Sequence, residues 1–187
     1  MDIEKPTLTE QPTSTDERTG RGIVRDLLET IVPAMLIAVL INVFLAQSTI
    51  VYGQSMEPNL FTEQRLVIEK VSYHMHGPQR GDVIVLRDPT HGPLPLIKRV
   101  IGLSGERVTI ANGRVFIDGV LLDEPYLNQE TWGAGRSWLV PPLHVFVMGD
   151  NRSDSLDSRT FGPAPIDQVL GHAVLRYWPP GRAGLLR

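Results

Sequence analysis

The chain contains no cysteine among its 187 residues, which excludes disulfide bridges and thiolate metal sites. It also lacks a strong charge of either sign. The net charge is -3 at pH 7, and this balance gives no reason to expect nucleic acid as a partner. A chain of this length has room for one domain and an appendage. No internal repeat occurs, and seventeen glycines and fifteen prolines predict many turns and short strands.

The N-terminal segment is polar. Residues 1–20 combine proline, threonine and glutamate with almost no large apolar side chains. Such a segment cannot bury enough surface to offset the entropy lost on ordering, so it is predicted to be disordered. Together with the residues that lead to the first apolar run, positions 1–30 are interpreted as a disordered cytoplasmic tail.

One long apolar run follows, "IVPAMLIAVLINVFLA" at 31–46, and its sixteen residues include no charge. Extended to Val51 it reaches twenty-one residues, enough to span a hydrocarbon core of roughly 30 Å. We therefore predict a transmembrane helix over 31–51. The alternatives are a buried core helix, which normally has a polar face, and a cleavable signal peptide, because "AQS" resembles a small-x-small cleavage site.

The basic residues around this run predict its orientation. Three arginines precede it, and the first basic residue after it is Arg65. By the positive-inside rule the N-terminus is cytoplasmic and residues 52–187 lie outside the cytoplasm.

Residues 52–187 are predicted to form a β-rich domain. β-Branched runs bounded by glycine or proline predict strands at 65–71, 82–87, 144–148 and 170–178. Asn112-Gly113 between two apolar runs is a strong hairpin signal, and Asp118-Gly119 predicts another turn. No second helix of comparable length is expected. The predicted fold class is mostly β, an extracytoplasmic antiparallel sheet domain preceded by one membrane helix.

Ser55 lies in "GQSMEPNL", a bent stretch directly after the apolar segment. Such a serine is usually a turn residue, and it becomes a nucleophile only beside a base. The familiar base is histidine, but none of the five histidines has a recognisable triad context, and no G-x-S-x-G elbow occurs. They are His74, His76, His91, His144 and His172.

Lys98, in "LPLIKRVIGLSGE", is a second candidate base. In a strand of period two, Lys98 and Arg99 point to opposite faces, and each face is otherwise apolar. Burial lowers the pKa of a lysine, and a change from about 10.4 to near 7 takes roughly 4 kcal/mol. An arginine cannot be deprotonated in this way. The alternative interpretation is a lysine that extends to water from a strand edge.

The polar loop "GDNRSDSLDSRTFGP" at 149–163 contains three aspartates. A calcium loop would need ligands where Arg152 and Phe161 stand and glycine where Ser155 stands, so no metal site is predicted. Its acidic and basic side chains instead predict a network of ion pairs and hydrogen bonds at the end of the strand 144–148.

Four motifs occur in one order: "SMEPNL" (55–60), "RGDVIVL" (80–86), "KRVIGLSGE" (98–106) and "GDNRSDSLDSRTFGP" (149–163). With the apolar run before them, they resemble the bacterial type I signal peptidases, membrane-bound serine proteases with a Ser/Lys dyad. The resemblance covers residues 31 to about 178.

The resemblance implies roles for single residues. Ser55 matches the nucleophile, Lys98 the general base, and Ser155 the serine whose hydrogen bond orients that lysine. The Ser55 backbone N–H would stabilise the oxyanion. Some members add a hydroxyl donor two residues before the nucleophile, where this chain has Gly53 and therefore no side chain.

The resemblance also implies a structural ion pair near the site between Asp157 and Arg159, with Arg99 close by. No cofactor is implied. Two departures from the family pattern, Asn59 where threonine is common and Ser104 where proline is common, are expected to lie away from the chemistry.

The implied substrates are exported preproteins, and the lipid bilayer is the implied partner surface. A nucleophile a few residues beyond its own membrane helix would be held where such a substrate leaves the bilayer. The substrate would bind as an added strand. Shallow apolar pockets would select small residues, with Val51, Gly53, Leu60 and Ile97 beside them.

Three other interpretations stay open at this stage. A self-cleaving repressor-type protease shares the Ser/Lys pair but needs an N-terminal DNA-binding domain. A catalytically silent anchored β domain would only bind exported proteins. A Ser/His/Asp hydrolase would use one of the histidines.

Overall fold

The computed structural model describes residues 16–40, 46–70, 73, 76–90, 92–133 and 135–186. His74 and His91 lie outside these residues, as does the part of the predicted tail before Asp16. The chain forms two compact units, Met1–Ile41 and Asn42–Arg187.

The first unit contains helix α1, Asp16–Leu40, with Pro33 inside it. The helix begins within the segment that was predicted to be a disordered tail, so that prediction is wrong for residues 16–30. Its apolar side chains between positions 27 and 37 are exposed, at 50% to 64% of their surface. In the part of the chain that the structure describes, no helix combines the length and apolar character needed to cross a membrane.

The second unit starts earlier than predicted, because Ala46–Ile50 is strand β1 and not part of a membrane helix. This strand pairs antiparallel with β2, Arg65–Glu69, from Ala46 opposite Glu69 to Ile50 opposite Arg65. The physical reason lies in "AQSTI", where polar residues and the β-branched Thr49 and Ile50 favour an edge strand. The predicted membrane helix over 31–51 includes these residues because they carry no charge, but three of the five are polar.

The strands form two antiparallel sheets within the described residues. Besides β1 and β2, the larger sheet contains β3 Val83–Leu86, β4 Leu96–Gly102, β9 His144–Met148, β10 Ala164–Pro165, β11 Val169–Trp178 and β12 Gly184–Leu185. Its order is β1-β2-β11-β3-β4-β9-β10, with β12 paired to β11. The smaller sheet consists of β5 Arg107–Ala111, β6 Arg114–Ile117, β7 Val120–Leu121 and β8 Arg136–Leu139, in the order β7-β6-β5-β8.

The mostly β, antiparallel fold class is confirmed, and so is the strand at 144–148. Asn112-Gly113 forms the tip of the β5–β6 hairpin, as predicted. The other predicted strands are present with ends that differ by one or two residues. A short helix, α2 at Ser158–Phe161, is a single turn that the sequence pattern did not indicate.

Strand β4 lies between β3 and β9 in the larger sheet and is buried along its length except at Leu96. Its neighbours β3 and β9 are apolar and almost entirely buried. Because strands covered on both faces have no solvent side, they are continuous apolar runs instead of alternating ones. Lys98 and Arg99 therefore project from one of the most enclosed strands of the molecule.

Candidate active site

Ser55 lies in the loop between β1 and β2, and the backbone closes this loop at its base. Val51 N donates to Gln64 O at 2.8 Å, and Glu63 N donates to Val51 O at 3.0 Å. Met56 and Leu60 are each 1% exposed and anchor the loop in the core. These contacts hold a polar, bent segment in one position against the sheet.

Lys98 reaches this loop from β4. Its Nζ donates to Ser55 Oγ at 2.7 Å, and the lysine is only 2% exposed. Burial lowers its pKa to about 8, while the negative charges of Asp157 and Asp150 act in the opposite direction. Lys98 is therefore buried and does not extend to water.

Arg99 is equally buried, so both cations of the motif are enclosed. Its Nε and Nη2 donate to Asp150 at 2.9 and 2.7 Å, and its guanidinium lies 4.1 Å from the Tyr126 ring centroid. Burial alone would lower the pKa of Arg99, but the Asp150 carboxylate outweighs it and raises that pKa. Sequence reasoning did not identify Asp150 as this partner.

Asn59 lies closer to the site than expected. Its Nδ2 donates to Asp150 Oδ2 and to Tyr126 O, both at 2.9 Å. Asn59 therefore holds the carboxylate that pairs with Arg99. Its position within the nucleophile motif was the sequence feature that could have indicated this role.

Asp157 and Arg159 form a bidentate ion pair, with N–O distances of 2.9 and 2.8 Å. The fully buried Asp157 carboxylate also accepts from Gly149 N at 3.1 Å and caps α2 through Arg159 N. Arg99 does not share this carboxylate in the described hydrogen bonds, since it pairs with Asp150. The loop is thus held by two separate buried carboxylates.

Ser155 lies beside Ser55, but its Oγ is buried and has no hydrogen-bond partner among the described residues. The expected hydrogen bond to Lys98 is therefore not formed in this structure. A Cβ at Gly149 would come within 2.3 Å of Ser155 Oγ and 2.4 Å of Ser55 O. Only glycine fits between these two serines, which explains the glycine that opens the motif.

Arg152 was expected to pair within the loop 149–163, but its side-chain partners lie partly outside that loop. It is 2% exposed, and its Nε donates to Gly149 O at 3.1 Å. Its Nη atoms donate to Glu124 and Thr131. The guanidinium thus joins the loop 149–163 to the segment that follows β7.

The described histidines bond elsewhere. His76 Nδ1 lies 3.2 Å from Gly77 O, and His144 Nδ1 lies 2.8 Å from Pro142 O. His172 stacks on Tyr73 and lies 3.7 Å from Asp82. None of these contacts involves Ser55.

The residues expected beside the substrate pockets are mostly in the core. Val51, Leu60 and Ile97 belong to one buried apolar cluster, and Ile97 is the most exposed of them at 8%. Gly53 is exposed and has φ +80, with nothing within 4 Å of a Cβ placed there. A side chain at this position has space but an unfavourable backbone conformation.

Comparison with known proteins identifies a family. The family model described as "Signal peptidase, peptidase S26" matches residues 24–178. A probable signal peptidase I-2 of Synechocystis sp. is 38% identical over 167 residues, which cover 86% of this chain and 76% of the relative. Signal peptidase I of Leptolyngbya laminosa is 36% identical over 187 residues, covering 94% and 90%. Signal peptidase I of Bacillus caldolyticus is 34% identical over 163 residues, covering 78% and 87%. The chain therefore belongs to the signal peptidase family, peptidase S26, and is a serine peptidase.

Proposed function

We propose that this peptidase removes N-terminal signal peptides from exported preproteins after small-x-small sites, with Ser55 as nucleophile and Lys98 as general base. The observation that carries the proposal is the 2.7 Å hydrogen bond between Lys98 Nζ and Ser55 Oγ. A serine needs an adjacent base, and a lysine becomes one only where burial lowers its pKa. Both conditions meet at this pair.

The reaction proceeds through an acyl-enzyme. Neutral Lys98 takes the Ser55 proton while Oγ attacks the carbonyl carbon of the scissile peptide. The lysine ammonium then gives this proton to the leaving amine, and the signal peptide stays on Ser55 as an ester. Lys98, neutral again, takes a proton from water, whose oxygen attacks the ester carbonyl. The lysine ammonium returns this proton to Ser55 Oγ as the ester bond breaks, and the signal peptide leaves with a free C-terminal carboxyl group.

The oxyanion of each tetrahedral intermediate is stabilised by the backbone N–H of Ser55. Among the described residues no acceptor receives a hydrogen bond from this N–H, so it is available to substrate. Gly53 supplies no hydroxyl, and its φ of +80 favours glycine there. We infer that this enzyme works without the second side-chain donor of some relatives.

Burial has the largest effect on the pKa of Lys98, and charged side chains of the loop 149–163 modify it. Asp157 and Asp150 raise the pKa of Lys98 against the effect of burial, and Arg159 lowers it. Ser155 Oγ is an unpartnered hydroxyl that lies beside Ser55. Its role in this proposal is to accept a hydrogen bond from Lys98 when the lysine is protonated, which keeps the ammonium directed at the leaving group.

Specificity for small residues follows from packing next to Ser55. Val51 and Leu60 are each 1% exposed, so their side chains fill the space below the nucleophile loop. Ile97 is the neighbour of Lys98 on β4. In the proposed mode of binding, the substrate strand lies over the nucleophile loop, and the filled core beneath it leaves no deep pocket, so that alanine or glycine fits and longer side chains do not.

The proposed location is the cell membrane, with the N-terminus cytoplasmic and the catalytic unit outside. The sequence supports this through the uncharged run and the arginines before it. The exposed apolar side chains of α1 are consistent with a lipid environment. Because β1 begins at Ala46, the attachment ends before that residue and not at Val51.

The test is cleavage of a preprotein that carries an A-x-A site by the full chain in detergent, with sequencing of the new N-terminus. Wild type should cut directly after the site, whereas Ser55→Ala and Lys98→Arg should be inactive. His172→Ala is the matched control and should cut normally. Activity that survives loss of the Lys98 amine but disappears with a histidine would favour a Ser/His hydrolase, and no cleavage by wild type would favour a binding domain.

A further inference from the structure

Asn151 makes hydrogen bonds to the carbonyl groups on both sides of the Ser55 N–H. Its side-chain Nδ2 donates to Gln54 O at 3.2 Å, and its backbone N donates to Ser55 O at 3.0 Å. Neither the Ser55 hydroxyl nor the Lys98 amine takes part in these two contacts. They connect the loop 149–163 directly to the backbone of the nucleophile loop.

The contact with Gln54 has a consequence for the neighbouring N–H group. The Gln54 carbonyl and the Ser55 N–H belong to one peptide unit, which is planar and, when trans, directs the two groups to opposite sides. A hydrogen bond that holds the carbonyl therefore also sets the direction of the N–H. Glu57 N donates to the same carbonyl at 3.1 Å, so the Gln54 carbonyl oxygen accepts two hydrogen bonds.

The orientation of the Asn151 amide is itself determined by its neighbours. Its Oδ1 accepts from Gln129 Nε2 at 3.2 Å and from Ser153 Oγ at 3.0 Å. Ser153 Oγ also lies 3.4 Å from Gln129 Oε1, so its single proton is shared between two acceptors and the three side chains form a closed set of contacts. With Oδ1 engaged in this way, the amide NH₂ faces Gln54.

We propose that Asn151 is a positioning residue that aims the Ser55 N–H at the oxyanion. The inference rests on the proposed function, in which that N–H is the donor to the tetrahedral intermediate. Such donors act through their preset direction, since they do not reorient as charge develops. Removal of a whole donor lowers kcat by about 10²–10³-fold. Removal of the group that aims it should lower kcat by roughly tenfold to a hundredfold.

Asn151→Ala isolates this role because it deletes the side-chain bond and keeps the backbone bond to Ser55 O. The Asn151 side chain is only partly buried, so water can replace it at Gln54 O and unfolding should change little. Asp154→Asn is the matched control on the same loop, since the Asp154 side chain is exposed. Gln129→Ala removes one support of Asn151 and should have a smaller effect in the same direction.

The experiment uses the full chain in detergent and three measurements. The first is kcat and KM for a peptide substrate, with kcat reduced in Asn151→Ala and KM nearly unchanged. The second is inhibition by a peptide aldehyde, whose carbonyl carbon bonds to Ser55 Oγ while its oxygen takes the oxyanion position and the serine proton. Its Ki should rise in parallel with the loss of kcat/KM. The third is binding of the cleaved signal peptide, which should not change.

The double variant Asn151→Ala with Gln129→Ala adds a further readout. If Gln129 acts through Asn151, the double variant should be no slower than Asn151→Ala, because coupled residues are not additive. Equal kcat in wild type and Asn151→Ala would overturn the inference, and so would a parallel loss of product binding. Cleavage by Ser55→Ala would instead overturn the proposed function and leave the Asn151 geometry as a structural contact.

Discussion

Lys98 Nζ and Ser55 Oγ lie 2.7 Å apart, although the two residues are separated by 43 positions in the chain. One belongs to the enclosed strand β4 and the other to a loop between two strands at the far side of the sheet order. The pairing therefore depends on the tertiary packing that brings β4 against that loop. Burial of the lysine and proximity of the serine are two results of the same packing.

Activity should rise with pH in the range where Lys98 loses its proton. Its pKa is lowered to about 8, and only the neutral amine can accept the Ser55 proton. Below about pH 7, kcat/KM should increase roughly tenfold per pH unit, and it should level off above about pH 8 to 9. The measurement is a pH profile of peptide cleavage. If the pH-dependent part of this profile disappears in His172→Ala, the assignment of the titrating group to Lys98 is contradicted.

Replacement of Lys98 by methionine should stabilise the fold in a pH-dependent way. The pKa is about 8 in the folded chain and 10.5 as the ordinary value, so between these pH values only the unfolded state holds the proton. Stability of wild type consequently rises with pH across this window, and the burial penalty is complete below it. Relative to wild type, Lys98→Met should gain roughly 3 kcal/mol more at pH 7 than at pH 10.5. Urea unfolding at both pH values measures this, and a pH-independent difference would contradict the lowered pKa.

Asp157→Ala should destabilise the fold by about 3 kcal/mol, because loss of one partner of a buried ion pair leaves the other charge uncompensated. Arg159 would lose both carboxylate contacts, and Gly149 N would lose its acceptor. Asp154→Ala, on the exposed side of the loop, should change stability by no more than about 0.5 kcal/mol. Denaturant unfolding of the two variants gives the comparison. Equal stability would mean that the Asp157–Arg159 pair does not support the loop.

Ser155→Ala should separate activity from stability. Its hydroxyl is buried without a partner, so removal should leave the unfolding free energy unchanged or slightly higher. Cleavage should slow by roughly tenfold to a hundredfold and less than in Ser55→Ala or Lys98→Ala, because nucleophile and base remain in place. Complete loss of cleavage in a stable Ser155→Ala protein would assign this hydroxyl more than an orienting role.

Two truncations should differ sharply. A chain that lacks residues 1–41 keeps β1 and its five residue pairs with β2, and it should still cleave a short soluble peptide. Its rate on preproteins in liposomes should fall much further, because enzyme and substrate no longer share one bilayer. A chain that lacks residues 1–51 loses β1 and the buried Val51 and should not fold stably. Circular dichroism tests whether each shortened chain folds, and the ratio of the preprotein rate to the peptide rate tests positioning. If this ratio is the same for the full-length chain and the chain that lacks residues 1–41, the N-terminal segment has no positioning role.

The sequence by itself determined what depends on local chemistry. Asn112-Gly113 between apolar runs predicted the β5–β6 hairpin, since a tight turn and its flanking strands are encoded by neighbouring residues. The apolar run "HVFVM" predicted β9 to the residue. Four motifs in order indicated the family and named Ser55 and Lys98 as a pair. Residues 46–50 were misassigned because absence of charge says little about whether a segment enters lipid or pairs at a sheet edge.

Only the tertiary structure decided the properties that arise between distant segments. Period two placed Lys98 on an apolar face, but the burial that lowers its pKa comes from β3, β9 and the nucleophile loop packed around β4. Asp150 was one of three aspartates in the loop 149–163, and its pairing with Arg99 depends on the register of β4 against β9. Asn151 gave no local signal, because its contact with Gln54 crosses 97 positions. Strand order and register set these distances, and neither is written in the pattern of a single strand.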